Sequence, residues 1–448
     1  SENIAREIAI TSPLKRVTKI TNGVDELFPS DWAATVFVCK HLNFLTDLSL
    51  YGITNSDCFL EITKLFRDRC VQSLELSPSR ISSFEVENLF SAITKSQCRI
   101  IHEHSKLTRL SLSSCGIRDA VLSTFPKFLK SGRGICLKEL CLAVNLITCV
   151  GMSVFSDVLG NEACNKLVML NLNGNHIGDD GVRVLCDALR RNQHGLRELH
   201  LFQCSLTGKS TFWLGQLLRD EHCKITHLSL RQNYLCDEGV RNLFDCFRQG
   251  HCKLNVLDIS QCSLTYECMP FLGETLGDEK CRLTDLSLYG NDVGDEGVGI
   301  LFDTLKVKKC SLVKLDVSRC TLTKKCMTSL CGALGDENCQ LTDLNLSNND
   351  IGDESVEMLC GVLGEGQCKL TVLNLAECSL TDESIPSLCE ALRSKSCKLT
   401  ELCLKNVFYR GRSCSPNRFT SERINLLMDV QVSEHCKARG LAITISKK

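Results

Sequence analysis

One spacing governs this chain. Segments of the form L-x-x-L-x-L open at Leu107, Leu137, Leu167, Leu196, Ile225, Leu254, Leu283, Leu312, Leu341, Leu370 and Leu399. Two steps are 30 residues long, and every step from Leu167 to Leu399 is 29. Weaker copies open at Leu45 and Val71, which makes about 13 copies in all. A period of this length means stacked supersecondary units, so it is read before any shorter motif.

Each copy changes periodicity halfway through. L-x-x-L-x-L alternates with period two, as a short strand with one buried face does. Val298, Leu301, Phe302 and Leu305 then follow helical spacing. Asp295 and Asp353 stand where they can cap such helices. Gly277 and Gly335 suit a left-handed helix exit. No single copy can bury its own leucines, so neighbours must stack and share a core. Stacked strands sit about 4.8 Å apart and packed helices about 8–10 Å apart. The mismatch bends the stack, so the expected fold is an α/β solenoid: a horseshoe with a parallel sheet on the concave side and helices on the convex side.

A second period is superimposed on the first. Eight residues after each opening position from Leu107 to Leu370 stands Cys or Asn, and from Asn175 the two alternate: Cys204, Asn233, Cys262, Asn291, Cys320, Asn349, Cys378. Cys copies continue CSLT or CTLT, and Asn copies mostly continue with a Gly-Asp or Cys-Asp step, as in NDVGDEG at 291–297. The duplicated unit is therefore a pair of 58 residues.

This register disposes of a tempting motif. SLTGKST at 205–211 holds the Gly-Lys-Ser-Thr half of a phosphate loop. It occupies the slot of SLTYECM at 263–269 and TLTKKCM at 321–327, and Gln203 stands where the first loop glycine belongs. It reads as an ordinary repeat turn, and no cofactor is expected.

Composition bears mainly on the 31 cysteines. Seven of them, Cys223, Cys252, Cys281, Cys310, Cys339, Cys368 and Cys397, form a ladder at a strict 29-residue step just before each strand. No two cysteines are spaced C-x-x-C, and no apolar run is long enough to span a membrane. The N-terminal stretch lacks the apolar core of a signal peptide. Free, packed thiols in a reducing cytoplasm are expected, with neither metal site nor catalytic thiol. In His222-Cys223, His251-Cys252 and His435-Cys436 the Cys is the packed member of each pair. With 52 Lys and Arg against 53 Asp and Glu, nucleic-acid binding by bulk charge is not expected.

The ends depart from the pattern. Residues 1–27 read as a linker or the remnant of another region, and the chain opens at Ser1, as a processed or larger protein's segment would. Repeats are expected over 28–407, with a capping helix at 30–44. Residues 408–448 are expected to hold an irregular loop around Tyr409–Phe419, a cap helix through Asn425–Cys436 and a strand at 441–445.

Register, alternation and cysteine load together resemble the ribonuclease-inhibitor type of leucine-rich repeat, which also forms the C-terminal region of NACHT-containing Nod-like receptors. The resemblance covers roughly residues 28–448. It implies a cytoplasmic protein-binding module without enzymatic activity, membrane attachment or cofactor, able to join a homo-oligomer only as part of a larger receptor. One branch would be a receptor's ligand-sensing or autoinhibitory region; the other would be an inhibitor holding pancreatic-type ribonucleases in its concave face. The inhibitor family places a Tyr-Asp pair after the last regular strand, where this chain has Lys405-Asn406.

Partner contacts are expected from the variable positions of the strands. These are Asp47, Tyr51, Glu75, Arg109, Glu139, Glu198, His200, Phe202, His227, Arg231, Asp258, Asp285, Tyr289, Lys314, Asp316, Arg319, Asp343, Glu377, Glu401 and Lys405. Ten are acids and five are Lys or Arg, a mild negative bias rather than a dense acidic field.

Overall fold

The computed structural model describes residues 19–21, 47–50, 60, 63, 71–77, 82–97, 107–130, 135–159, 165–191, 194–248, 250–307, 310–406 and 416–445. The expected capping helix at 30–44, Tyr51 and most of the irregular loop lie outside the described residues.

The chain divides into two compact units, 1–206 with 222–226, and 207–221 with 227–448. In the first, strands pair in sequence order: β1 (Lys19–Thr21), β2 (Asp47–Leu50), β3 (Ser73–Leu76), β4 (Leu107–Ser111), β5 (Ile135–Cys141), β6 (Met169–Asn171) and β7 (Glu198–His200). All of these pairs are parallel. The longer steps at this end leave a mark, because register shifts between Leu107 and Arg109 where β4 meets β5. β1 falls inside the stretch expected as linker: Ile20 pairs with Leu48, although no L-x-x-L spacing announces it.

The second unit repeats the arrangement more strictly. Its strands are β8 (His227–Ser229), β9 (Val256–Asp258), β10 (Asp285–Ser287), β11 (Lys314–Asp316), β12 (Asp343–Asn345), β13 (Val372–Asn374), β14 (Glu401–Cys403) and β15 (Ala442–Thr444). Constant repeat length keeps Leu257, Leu286, Leu315, Leu344, Leu373 and Leu402 in one row across the parallel sheet. All six are buried, as the period-two pattern requires. Each unit is an α/β solenoid of leucine-rich repeats, and the unequal spacing of strands and helices curves each with its sheet on the inside.

The helices form because one stripe of each is apolar. In Gly352–Gly364, Val356, Leu359, Cys360 and Leu363 face the core, and Asp353 and Glu354 lie in the first turn, where carboxylates favour the helix dipole. The caps are threonines: Thr207, Thr265, Thr323 and Thr381 each accept from the backbone N–H two residues on. The aspartates expected as caps of their own helices act elsewhere. Asp295 accepts from the N–H and hydroxyl of Thr323 in the next copy, at 2.8 and 2.6 Å, and Asp353 does the same for Thr381. Gly277 and Gly335 do end helices, but at φ −82° in the right-handed region, so the left-handed exit expected of them is absent.

Most left-handed residues lie instead around the Cys/Asn slot, and they distinguish the two kinds of copy. Cys turns carry positive φ on both sides of the cysteine, at Gln203 and Ser205, Gln261 and Ser263, Arg319 and Thr321, Glu377 and Ser379. Asn turns carry it one residue before and three after the asparagine, at Gly290 and Gly294 and at Asn348 and Gly352. Glycine recurs after Asn because the third position demands that conformation.

The last copy hides a detour. Asn417 accepts from the backbone N–H groups of Cys378 and Leu380 and donates to the carbonyls of Leu375 and Leu404. It fills the slot that strict spacing assigns to Val407, so ten residues are inserted between strand and turn. The cap helix expected through 425–436 is two helices, Ser421–Gln431 and Glu434–Arg439, with Ser433 opening the second, and β15 follows.

Candidate protein-interaction surface

The variable strand positions project from a floor of buried leucines, so their side chains form the open wall of each sheet. In the first unit, Arg109 reaches across β3 to Asp47 and forms a 2.7 Å ion pair on that wall. Glu75 on β3 and Glu139 on β5 are half-buried, one on each side of β4. On β7, His200 lies 3.8 Å from Glu198, and Phe202 follows half-buried.

In the second unit the wall bears a hollow of about 320 Å³ over β9 to β12. Asp258, Asp285, Lys314, Asp316, Asp343 and Asn345 line it. Lys314 stands 3.8 Å from Asp285 and interrupts the acidic row. Asp316 accepts from the N–H and hydroxyl of Ser318, and Asp258 is held in the same way by Ser260. Burial raises the Asp316 carboxyl above the ordinary carboxylate range against the lowering effect of Ser318. Asp343 is also raised by burial, with Lys314 opposing. The carboxylates of this hollow are thus braced in place above the leucine floor.

The other expected contacts divide. Arg231 stacks its guanidinium over Tyr289 at 5.2 Å, placing a cation and an aromatic together at the edge of the wall. Glu401 and Lys405 are exposed, and His227 and Arg319 are half-buried. Glu377 is not on the wall: it is fully buried, at φ +51° in a Cys turn after strand alternation has ended.

Sequence reasoning missed an apolar site in the second unit. A hollow of about 430 Å³ lies between the helices Gly208–Arg219 and Cys236–Phe244, lined by Thr207, Lys209, Phe212, Tyr234, Cys236 and Asn242. Phe212 and Tyr234 are 54% and 65% exposed, well beyond what packing needs. The only legible signal was an aromatic at the first position after Asn233. The same region explains Gly208. A β-carbon there would come within 2.8 Å of the Leu235 carbonyl and 3.2 Å of Gly239, so the glycine serves close packing of two copies. Thr207 Oγ1 accepts from Lys209 N, and Lys209 itself is exposed, so the Gly-Lys-Ser-Thr run is a capped helix start.

The thiols of the Cys turns are packed rather than poised. Cys204, Cys262 and Cys320 are buried, donate Sγ–H to carbonyls of the preceding copy, and are pushed up to about 12 by desolvation. In each His-Cys pair the Cys is buried and the His exposed. Among the described residues, no helix is long and apolar enough to cross a membrane.

Comparison with known proteins fits this architecture. Family models described as Leucine Rich repeat match residues 103–120, 163–186, 280–299 and 337–360, and a second such model matches 369–391. The bovine NACHT, LRR and PYD domains-containing protein 3 is 34% identical over 225 residues, covering 47% of this chain and 20% of that protein. The human NACHT, LRR and PYD domains-containing protein 14 is 32% identical over 216 residues, covering 42% and 19%. The ribonuclease inhibitor of Sus scrofa is 32% identical over 175 residues, covering 38% and 37%. The matched stretches thus span about a fifth of the NACHT proteins and over a third of the inhibitor.

Proposed function

We propose that this leucine-rich-repeat protein of the ribonuclease-inhibitor type is the ligand-sensing or autoinhibitory repeat region of a Nod-like receptor. In this reading it acts in the cytoplasm by binding protein and carries no catalytic step. The observation that carries the reading is the mixed character of the wall. Lys314 breaks the acidic row of Asp285, Asp316 and Asp343, and Arg231 and Tyr289 form the wall's paired cation and aromatic. A surface tuned to capture one strongly basic protein would instead concentrate acid, because steering grows with an unbroken field. The similarity to NACHT, LRR and PYD domains-containing proteins supports the same branch.

An immunoblot of the native protein in its own cells tests this directly. The receptor reading expects a band above ~100 kDa, room for a nucleotide-switch domain and an effector domain in front of the repeats. A band near 49.8 kDa would overturn it.

The relative named ribonuclease inhibitor supports a second reading, capture of pancreatic-type ribonucleases. Lys405-Asn406 in place of a Tyr-Asp pair speaks against it, since Lys405 is exposed and brings positive charge where a basic ligand would dock. Tight, salt-sensitive inhibition of such a ribonuclease under reducing conditions would establish this reading, and its absence would remove it.

A further inference from the structure

One cysteine breaks the repeat pattern without need. At the position held by Leu217, Thr275, Thr304, Ala333, Val362 and Ala391 in other copies, this chain has Cys246. Its Sγ lies 3.5 Å from Sγ of Cys252, a member of the 29-residue ladder. The turn between them brings the two together. The helix Cys236–Phe244 ends, and Cys246 and Phe247 close a tight turn on the carbonyls of Leu243 and Phe244. Gly250, at φ +78°, then reverses the chain towards Cys252. Both thiols are buried, yet Arg248, Gly250 and His251 between them are exposed, so a short opening of this turn admits a small oxidant.

We propose that Cys246 and Cys252 form a redox modification site, a dithiol converted to a disulfide by hydroperoxides. The Cys252 thiolate attacks the peroxide O–O bond, giving Cys252 sulfenic acid and, for hydrogen peroxide, one water after protonation. Cys246 sulfur then displaces the sulfenic hydroxyl, which leaves as water with the thiol proton. The two sulfurs lose two electrons and the two peroxide oxygens gain them. Closing the bond moves the sulfurs from 3.5 Å to about 2.05 Å, a shift within reach of a turn that is not part of a sheet. The chemistry of the pair fits these roles. Hydrogen bonding from Cys246 lowers the Cys252 thiol, whereas burial raises Cys281, Cys310, Cys339 and Cys368 on the same ladder. Cys246 is raised by its own burial, so it remains the resolving thiol.

The test is limiting hydrogen peroxide added to the native chain, then blocking of free thiols and non-reducing peptide mapping. The Cys246–Cys252 crosslink is expected first, with Cys281 and Cys310 still blocked as free thiols and far-UV circular dichroism unchanged. Alkylation of the untreated protein gives a second readout, with Cys252 reacting about tenfold or more faster than Cys281. Cys246→Ala should abolish the crosslink and leave Cys252 as a single modified thiol, while Cys310→Ala should keep it. If another pair crosslinks first, or if Cys252 is alkylated no faster than Cys281, the assignment is overturned.

Discussion

Two kinds of joint alternate along the second unit, and they are closed by different chemistry. Where an Asn copy follows a Cys copy, a single amide does the work. Asn291 accepts from the N–H groups of Cys262 and Leu264 and donates to the carbonyls of Ile259 and Leu288. Where a Cys copy follows an Asn copy, no single side chain ties the turn: Cys320 donates a weak Sγ–H to the Leu288 carbonyl, the Thr321 hydroxyl donates to Asp292 at the exposed edge, and the Gly294 N–H donates to the Cys320 carbonyl. There the strong link moves to the helix side, where Asp295 grips Thr323. Repeating this division of labour explains the 58-residue period better than either copy alone. A change that shortened the pair to one copy would set like joints against each other.

Alkali acts on the Cys joints and has the largest expected effect. Cys262 and Cys320 are held at about 12 by burial, while an unfolded thiol titrates near 9. The folded value is the raised one, so this stability is fully present below pH 9 and is lost as pH rises towards 12. Each buried thiol costs up to about 1.4 kcal/mol per pH unit in that window. The thermal midpoint should fall steeply between pH 9 and 11, and replacing Cys262 and Cys320 together with Ala should flatten that fall.

Asn291→Ala comes next. It strands two buried N–H groups and the Ile259 carbonyl, while Leu288 keeps the Cys320 thiol, and about 4 kcal/mol should be lost in urea unfolding. Asp295→Ala removes two charge-assisted bonds from a partly buried site, with an expected loss of about 2 kcal/mol by the same measurement. Cys320→Ala at neutral pH should cost only about 1 kcal/mol. If the cysteine change cost as much as Asn291→Ala, the two joints would be equivalent and the comparison would fail.

The smallest effect is expected in the first unit. Val144 takes the turn position that Gly290 holds in the second, at φ +54°, which suits a β-branched residue poorly. It is 58% exposed, so little packing is lost on replacement. Val144→Gly should raise stability by about 1 kcal/mol through relief of that strain.

What the sequence disclosed follows from where each signal is stored. Strand, helix and the Asn/Cys slot recur in register, so periodicity exposes them, and the sheet confirms every L-x-x-L-x-L from Leu107 onward as a strand or its immediate lead-in. The Asp295–Thr323 brace joins residues 28 apart in different copies, and a reading confined to one copy assigns the aspartate to its own helix. Asn417 was hidden because ten inserted residues carry it out of step. β1 was hidden because a three-residue edge strand can pair through its backbone without a leucine signature. On the wall, exposure could be read wherever alternation holds, and Glu377 lies just past that limit.

Hydrogen exchange at single amides tests the alternating joints most directly. The Cys262 and Leu264 N–H groups, both bonded to the Asn291 side chain, should exchange only with global unfolding in the native chain. In Asn291→Ala those two amides should exchange many-fold faster than the chain unfolds, while the Thr323 amide, held by Asp295, keeps its protection. Unchanged protection at Cys262 and Leu264 in that variant would contradict the account.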